Sequence, residues 1–292
     1  MRTIFFYSRL RLSWGFIVRV PGATAAQPAF SLPPPTTVVG AFSNSILELL
    51  KPVKEVKRRR GKTLYQVFDC ILGSTLATSF ALAREDGETV GIAVIKEVSR
   101  IVGAPYKTGG EEADIKAAGK GSREFLEAVG TMLPVQALGV AYAPAALADI
   151  AWVADAEKLA TCLGVKVEEL YGDLGKVVAW GVSRLGSKEG IVAVIQGHHG
   201  SPEQLKCGST FKTRAYVPAD CVEPKDADVS EVTLWGLDYR WRRYYVPFIA
   251  SGTVVYPPAE ATSYRLVSEK CYAFRIPILE DLVVVSDRGG SA

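Results

Sequence analysis

The chain is poor in the residues that carry most enzyme and metal chemistry. Its 292 residues hold two histidines, two methionines, one asparagine (Asn44) and five glutamines. The histidines are adjacent, His198 and His199, and neighbours on an extended chain point to opposite sides, so they do not share a metal. The five cysteines (Cys70, Cys162, Cys207, Cys221 and Cys271) form no CxxC pair and have no histidine at ligand spacing. This excludes the common zinc motifs and reads as buried, unpaired thiols of a reducing compartment, with a disulfide open only for a hyperthermophile. The GKS/GKT end of a phosphate-binding P-loop is missing, which argues against nucleotide hydrolysis. No apolar run approaches the roughly 20 residues of a membrane-spanning helix. An excess of either charge is also lacking, because 34 Lys and Arg nearly balance 31 Asp and Glu and the formal net charge is only +3. Any nucleic-acid argument rests on where the cations lie.

What is present belongs to a folded chain: 48% hydrophobic and 22% charged residues can bury a substantial core in one large domain or two smaller ones. Scarce amides and methionine match thermophilic composition. Arg2, Arg9, Arg11, the stretch Leu12–Val18 and Ala23-Thr24-Ala25 imitate a secretory signal. The same stretch alternates with period two, however. From Leu10 to Val20 the even positions are apolar, while Arg9, Arg11 and Arg19 share the other face, which predicts one long strand with Gly15 as a bulge. Those arginines read either as a solvated face or as rigid phosphate contacts.

Phe30-Ser31-Leu32-Pro33-Pro34-Pro35-Thr36-Thr37-Val38-Val39-Gly40 organises the next part of the chain. The prolines enforce an extended approach. Thr36 or Thr37 is expected to cap a helix, with Val39, Phe42, Ile46 and Leu49 on its buried face and Pro52 as its stop. Gly40 weakens that helix by roughly 1 kcal/mol relative to alanine, which predicts close approach of another backbone. The helix start is also an anion site of the kind RNA phosphate occupies.

Lys51, Lys54, Lys57, Arg58, Arg59, Arg60 and Lys62 come after this helix, seven cations in twelve residues with one acid, Glu55. Such density is a solvated loop or a phosphate-binding one. Leu64 to Leu72 reads as a second amphipathic helix ended by Gly73. Strands are expected at 75–83 and 89–95 around a turn at 84–87. Residues 99–123 lose all hydrophobic period and carry five glycines with Lys107, Lys116 and Lys120, the pattern of a long functional or mobile loop. A helix at 124–133, strands at 135–142 and 148–153, a helix capped by Asp155 and stopped by Gly164, and strands at 177–182 and 191–196 complete the middle.

The threonine-rich opening and the loop Arg184-Leu185-Gly186-Ser187-Lys188-Glu189-Gly190 carry a resemblance. A first strand, a loop, then three prolines, two threonines and a glycine-containing helix resemble the opening of Cas family five of the RAMP superfamily. The second loop is similar to one in its archaeal subtype I-A branch. That family holds the 5′ handle of the guide RNA (crRNA) in type I CRISPR surveillance complexes. The resemblance agrees with the strand–helix–strand runs mixed with hairpins, which suggest an α+β, ferredoxin-like (split βαβ) domain over 1–225. It also implies a protruding thumb near 99–123, a small β-rich region over 226–292, and a cytoplasmic location. The implied partners are the crRNA handle and the backbone and large subunits of the type I Cascade, with no membrane, cofactor, metal or small-molecule substrate. Its RNA-binding set would be Arg9, Arg11, Arg19, Thr36, Thr37, Gly40, Lys57, Arg58, Arg59, Arg60, Lys62, Lys107, Lys116, Lys120, Arg184, Ser187 and Lys188. The loop at 184–190 is shorter than the glycine-rich loop typical of the wider superfamily.

The alternative is a metal-independent endoribonuclease using His198 or His199, although no spacing assembles the tyrosine–lysine–histidine group of the family's processing branch. In the last third, Trp235, Tyr239, Trp241, Tyr244 and Tyr245 interleave with Arg240, Arg242 and Arg243. That mixture suits base stacking or a protein interface, and the protein interface is the expectation here.

Overall fold

Strand β1 (Thr3–Leu12) is central because both its faces are apolar over its first half. Ile4, Phe6, Leu10 and Leu12 turn to one layer and Phe5 and Tyr7 to the other, all buried. In the computed structural model, residues 1–20, 26–27, 29–50, 57–59, 62–64, 66–83, 95–102, 135–143, 146–187, 190–225, 229–246, 249–251, 254–256 and 260–286 are described.

Strands β2 (Gly15–Phe16) and β3 (Ala26–Gln27) come next, then helix α1 (Pro35–Leu50). They are succeeded by β4 (Lys57–Arg59), β5 (Lys62–Leu64), α2 (Gln66–Ser74) and β6 (Thr75–Ala83). After β7 (Ile95–Val102), β8 (Val135–Tyr142) and β9 (Leu147–Asp155) the chain forms α3 (Ala156–Leu163), α4 (Val167–Tyr171) and α5 (Asp173–Trp180), then β10 (Val192–Gly200). The central sheet runs β10-β1-β9-β6, with each neighbouring pair antiparallel. Helices α1 and α2 therefore lie between the first strand and β6, and α3 to α5 between β9 and β10. This is a mixed helix-and-sheet fold. Phe6, Phe42 and Trp152 meet in its main core, the Phe6 and Trp152 centroids 5.0 Å apart. Trp152 satisfies its indole N–H on Thr75 at 3.0 Å.

The other face of the sheet is covered by the C-terminal third, whose Ala215, Phe274, Ile276, Leu282 and Val284 pack on Phe5, Tyr7, Ala77, Ala81 and Val153. Its strands are β11 (Glu203–Leu205), β12 (Thr210–Thr213), β13 (Val217–Pro218), β14 (Val222–Pro224), β15 (Ser230–Trp235), β16 (Trp241–Val246), β17 (Ile249–Ser251), β18 (Val254–Tyr256), β19 (Thr262–Leu266), β20 (Ala273–Arg275) and β21 (Val283–Val285). β11 pairs with β20, β12 and β14 with β19, and β13 with β16. These pairs join residues on both sides of 225.

Several expectations are corrected. The first strand does not run from Leu10 to Val20. It begins at Thr3 and leaves the central sheet after Leu12, and β2 pairs with β8 instead. Gly15 makes the break with φ +139°, where a β-carbon would strike the Ala141 carbonyl. The bulge in β1 falls at Arg9/Leu10. Helix α1 starts at Pro35, whose fixed φ suits the first helical position, and the Thr37 amide bonds the Pro34 carbonyl at 2.9 Å. Thr36 and Thr37 thus sit inside the first turn instead of capping it, and Leu49 is exposed. Leu64 lies in β5, not α2.

The expected strand at 177–182 is helix α5. Leu174, Val178 and Ala179 bury one helical face, and that packing overrides the β-preference of its valines. Within the basic run, β4 and β5 pair as a hairpin, Lys57 opposite Leu64 and Arg59 opposite Lys62, where a loop was expected. Residues 99–102 extend β7, which pairs with β8. The rest of the expected thumb, the helix at 124–133, Pro52 and the turn at 84–87 lie outside the described residues.

The cysteines are not unpaired thiols. Cys70–Cys162 and Cys221–Cys271 are disulfides with Cα separations of 5.6 and 5.8 Å, and Cys207 is free and exposed. Asp155 does cap α3, accepting from the Glu157 and Lys158 amides, and Gly164 closes it at φ +71°. No helix of the described residues is long and apolar enough to cross a membrane.

Candidate nucleic-acid interface

Three segments distant in sequence enclose one open hollow of about 480 Å³. Helix α1 contributes Thr37, Gly40, Ala41 and Asn44; the strip after β2 contributes Ile17, Val18 and Arg19; and the loop after α5 contributes Arg184, Gly186 and Ser187. The α1 residues recur at three and four positions, so they share one side of the helix.

The strip and the loop are stitched together. Ile17 and Gly186 form a parallel bridge, and the Ser187 amide donates to the Ile17 carbonyl at 2.9 Å. Gly186 adopts φ +84°, and a β-carbon there would strike the Ile17 carbonyl and Val18, so only glycine lets the two backbones meet so closely. Inside the loop, Leu185 donates to the Gly190 carbonyl at 2.8 Å and Arg184 bridges Ile191. Arg184 Nη2 reaches Asn44 Oδ1 at 3.4 Å.

The expected close approach at Gly40 is absent: a β-carbon there meets nothing within 4 Å. Its missing side chain keeps the hollow open. Ser187 Oγ is shielded on the hollow's wall without a hydrogen-bond partner among the described residues, and a buried orphan of this kind is a place for a ligand oxygen. Arg19 is exposed at the rim. Two guanidiniums and an orphan hydroxyl suit an anion of phosphate size.

Of the sequence-expected residues, the hollow gathers Arg19, Thr37, Gly40, Arg184 and Ser187. It does not gather Arg9. That guanidinium is held by Asp149, with Nε–Oδ1 at 2.8 Å and Nη2–Oδ2 at 3.0 Å, and Tyr7 donates to the same carboxylate at 2.6 Å. Burial, then Asp149, pushes the Tyr7 phenol far above its ordinary value, and the Asp149 hydrogen bond raises the Arg9 guanidinium further. Arg9 is thus a structural cation turned inward. Arg11 is exposed on β1, opposite Leu147 and Ala193, and Thr36 lies next to the hollow without lining it. The backbone of Lys57, Arg58, Arg59 and Lys62 forms the β4–β5 hairpin. Arg60, Lys107, Lys116, Lys120 and Lys188 lie outside the described residues.

The histidines fall on opposite sides of β10. His198 stacks on Tyr7 with centroids 6.1 Å apart and contacts Gln196 at 2.9 Å. His199 Nε2 donates to the Tyr171 carbonyl at 3.1 Å, and its ring closes over Gly175. Among the described residues no cluster could hold a metal ion.

Sequence reasoning missed Asn44, Ile17, Val18 and Ala41. Asn44 was findable as the sole asparagine, seven residues after Thr37 and so on its helix face.

No family model matches the chain. A stretch of 34 residues, 12% of the chain, is 59% identical to the CRISPR system aCascade subunit Cas5 1 of Saccharolobus solfataricus and spans 14% of that relative's length. Over that stretch the chain is similar to a Cas5 subunit. The fold of the chain is similar to a crystal structure of a CRISPR protein from Archaeoglobus fulgidus, with a TM-score of 0.56 over 98% of this chain and 100% of that one. Identity there is 19%, so this second likeness is one of fold alone. A chain of the type III-B Cmr-beta complex covers 90% of this chain, but at 8% identity and a TM-score of 0.27 it carries no argument.

Proposed function

We propose that this chain binds the 5′ handle of a CRISPR guide RNA as a non-catalytic subunit of a type I interference complex. One observation carries the reading: the two sequence motifs that resemble Cas family five, about 140 positions apart, line the same hollow. Arg19 and Arg184 would neutralise a phosphate there, with Thr37 and Ser187 as hydroxyl partners. The strand order β10-β1-β9-β6, with helices between β1 and β6 and between β9 and β10, supports the ferredoxin-like arrangement of a split βαβ unit. In this reading the β7–β8 pair is the stem of the thumb, and the β4–β5 hairpin adds backbone contacts. The backbone and large subunits of the complex would cover other faces. Opposed histidines and a buried Tyr7 favour binding over cleavage.

The test is a titration of labelled RNA with and without its repeat-derived handle, across a salt series. Wild type should prefer the handle-bearing RNA. Arg19→Ala and Arg184→Ala should each weaken binding and reduce the salt slope by about 0.7 per lost phosphate contact. Equal affinity for both RNAs, or unchanged slopes, overturns the proposal. Metal-independent cleavage of repeat RNA that is lost in His199→Ala would replace it with the endoribonuclease reading.

A further inference from the structure

The turn between β15 and β16 presents an aromatic group that the hollow does not use. Trp241 is 49% exposed and Tyr239 48% exposed. Trp241 is braced from two sides: Trp235 meets it edge-on with centroids 5.0 Å apart, and Phe30 lies at 5.7 Å. Phe30 is tied to the wall of the hollow, since its amide donates to the Val18 carbonyl at 2.9 Å and its neighbour Ala29 bridges Arg19. The aromatic group and the phosphate-sized hollow therefore share one backbone strip, Ile17–Arg19.

The charge around this turn is also ordered. Asp238 holds Arg242 at 2.8 Å, while Arg240 lies 3.9 Å from the same carboxylate and is 82% exposed. Arg243, 62% exposed, lies 3.6 Å from Asp220 and Glu231. Tyr239 takes φ 58°, a backbone region costly for an aromatic residue and kept only where the surroundings enforce it. A half-exposed indole braced by two rings, in a turn that carries the exposed Arg240 and tied through Phe30 to the wall of the hollow, is an arrangement that can stack one base of a single strand.

We propose that Trp241 is a stacking platform for an unpaired nucleobase of the RNA whose phosphate lies in the hollow, with Tyr239 and Arg240 at its edge. This rests on the handle-binding reading above, and it adds a base subsite on the C-terminal hairpin. A protein partner on the same surface is the competing outcome. Continuity with the hollow favours RNA, because Phe30, which braces Trp241, is bonded to the strip that walls the hollow.

The experiment compares wild type, Trp241→Ala, Trp241→Phe and Arg184→Ala against handle RNA. It also uses a series of handle RNAs that each carry one abasic position. Trp241→Ala should weaken handle RNA roughly tenfold, with the salt slope unchanged. Trp241→Phe, which keeps an aromatic face and the contact with Phe30, should bind nearly as wild type. At one abasic position the Trp241→Ala penalty should vanish. If Arg184→Ala loses affinity while Trp241→Ala does not, the hollow stands and the platform falls. If neither variant changes binding, the handle reading falls as well. Should Trp241→Ala keep RNA affinity yet fail to co-purify with the other subunits of the complex, the surface belongs to a protein and the proposal is overturned.

Discussion

Arg184 Nη2 lies 3.4 Å from the side-chain oxygen of Asn44, so helix α1 helps aim the guanidinium of a loop far along the chain. The distance is at the long end for a hydrogen bond, and the contact orients more than it stabilises. Asn44→Ala is expected to leave the melting temperature nearly unchanged. It should weaken handle RNA roughly three- to tenfold, as loss of one positioning contact would. Fluorescence anisotropy beside a melting curve checks both halves.

Gly40 offers a cleaner separation of stability from binding. Because a β-carbon there meets nothing within 4 Å, Gly40→Ala should stabilise the protein by about 1 kcal/mol through helix propensity. Gly40→Phe would project a ring into the hollow, with handle affinity falling roughly tenfold or more and stability not reduced. A Gly40→Phe variant that binds as wild type would remove the hollow from the RNA path.

Asp149 is 3% exposed and carries both Arg9 and the Tyr7 hydroxyl. Asp149→Asn strands a partly buried guanidinium, so unfolding free energy should drop by about 3 kcal/mol. Denaturant titration reads this directly. A negligible change would mean that Arg9 is free to turn outward, and would restore it as a phosphate contact.

The hydrogen bond from Arg242 holds the Asp238 carboxyl below its usual range. A depressed carboxylate pKa contributes stability above its unfolded value and loses it as pH falls through the folded one. The β15–β16 turn should therefore loosen as pH drops below about 4, seen as a change in tryptophan emission. Asp238→Asn should abolish that acid step.

The disulfides close loops with sequence separations of 92 and 50 residues. Chain-entropy reasoning assigns each roughly 4 kcal/mol. Melting in strong reductant should fall well below melting without it. A Cys70→Ser/Cys162→Ser variant should reproduce part of that loss.

Local chemistry was the legible part of this chain. Asp155 and Gly164 bracket α3 by a side-chain cap and a left-handed stop, both decided within a few residues. Helix α5 was not legible, because Val177 and Val178 favour a strand until Leu174, Val178 and Ala179 find a core to bury against. The alternation through Val20 hid the break at Gly15, which is set by the distant Ala141 carbonyl. Cysteine pairing was equally hidden, since Cys70 and Cys162 meet only once α2 and α3 pack. For the site, both motifs could be read singly. What no local pattern encodes is that Gly186 lies against Ile17, and that contact makes one hollow out of two motifs.

The Cys70–Cys162 bridge fastens α2, which precedes β6, to α3, which comes after β9. The two strand–helix–strand halves of the central sheet are thereby riveted within one chain. Copies that have closed this bridge cannot trade halves with one another. Any exchanged dimer would have to arise while both sulfurs were still reduced, so oxidation fixes the monomeric pairing of the sheet.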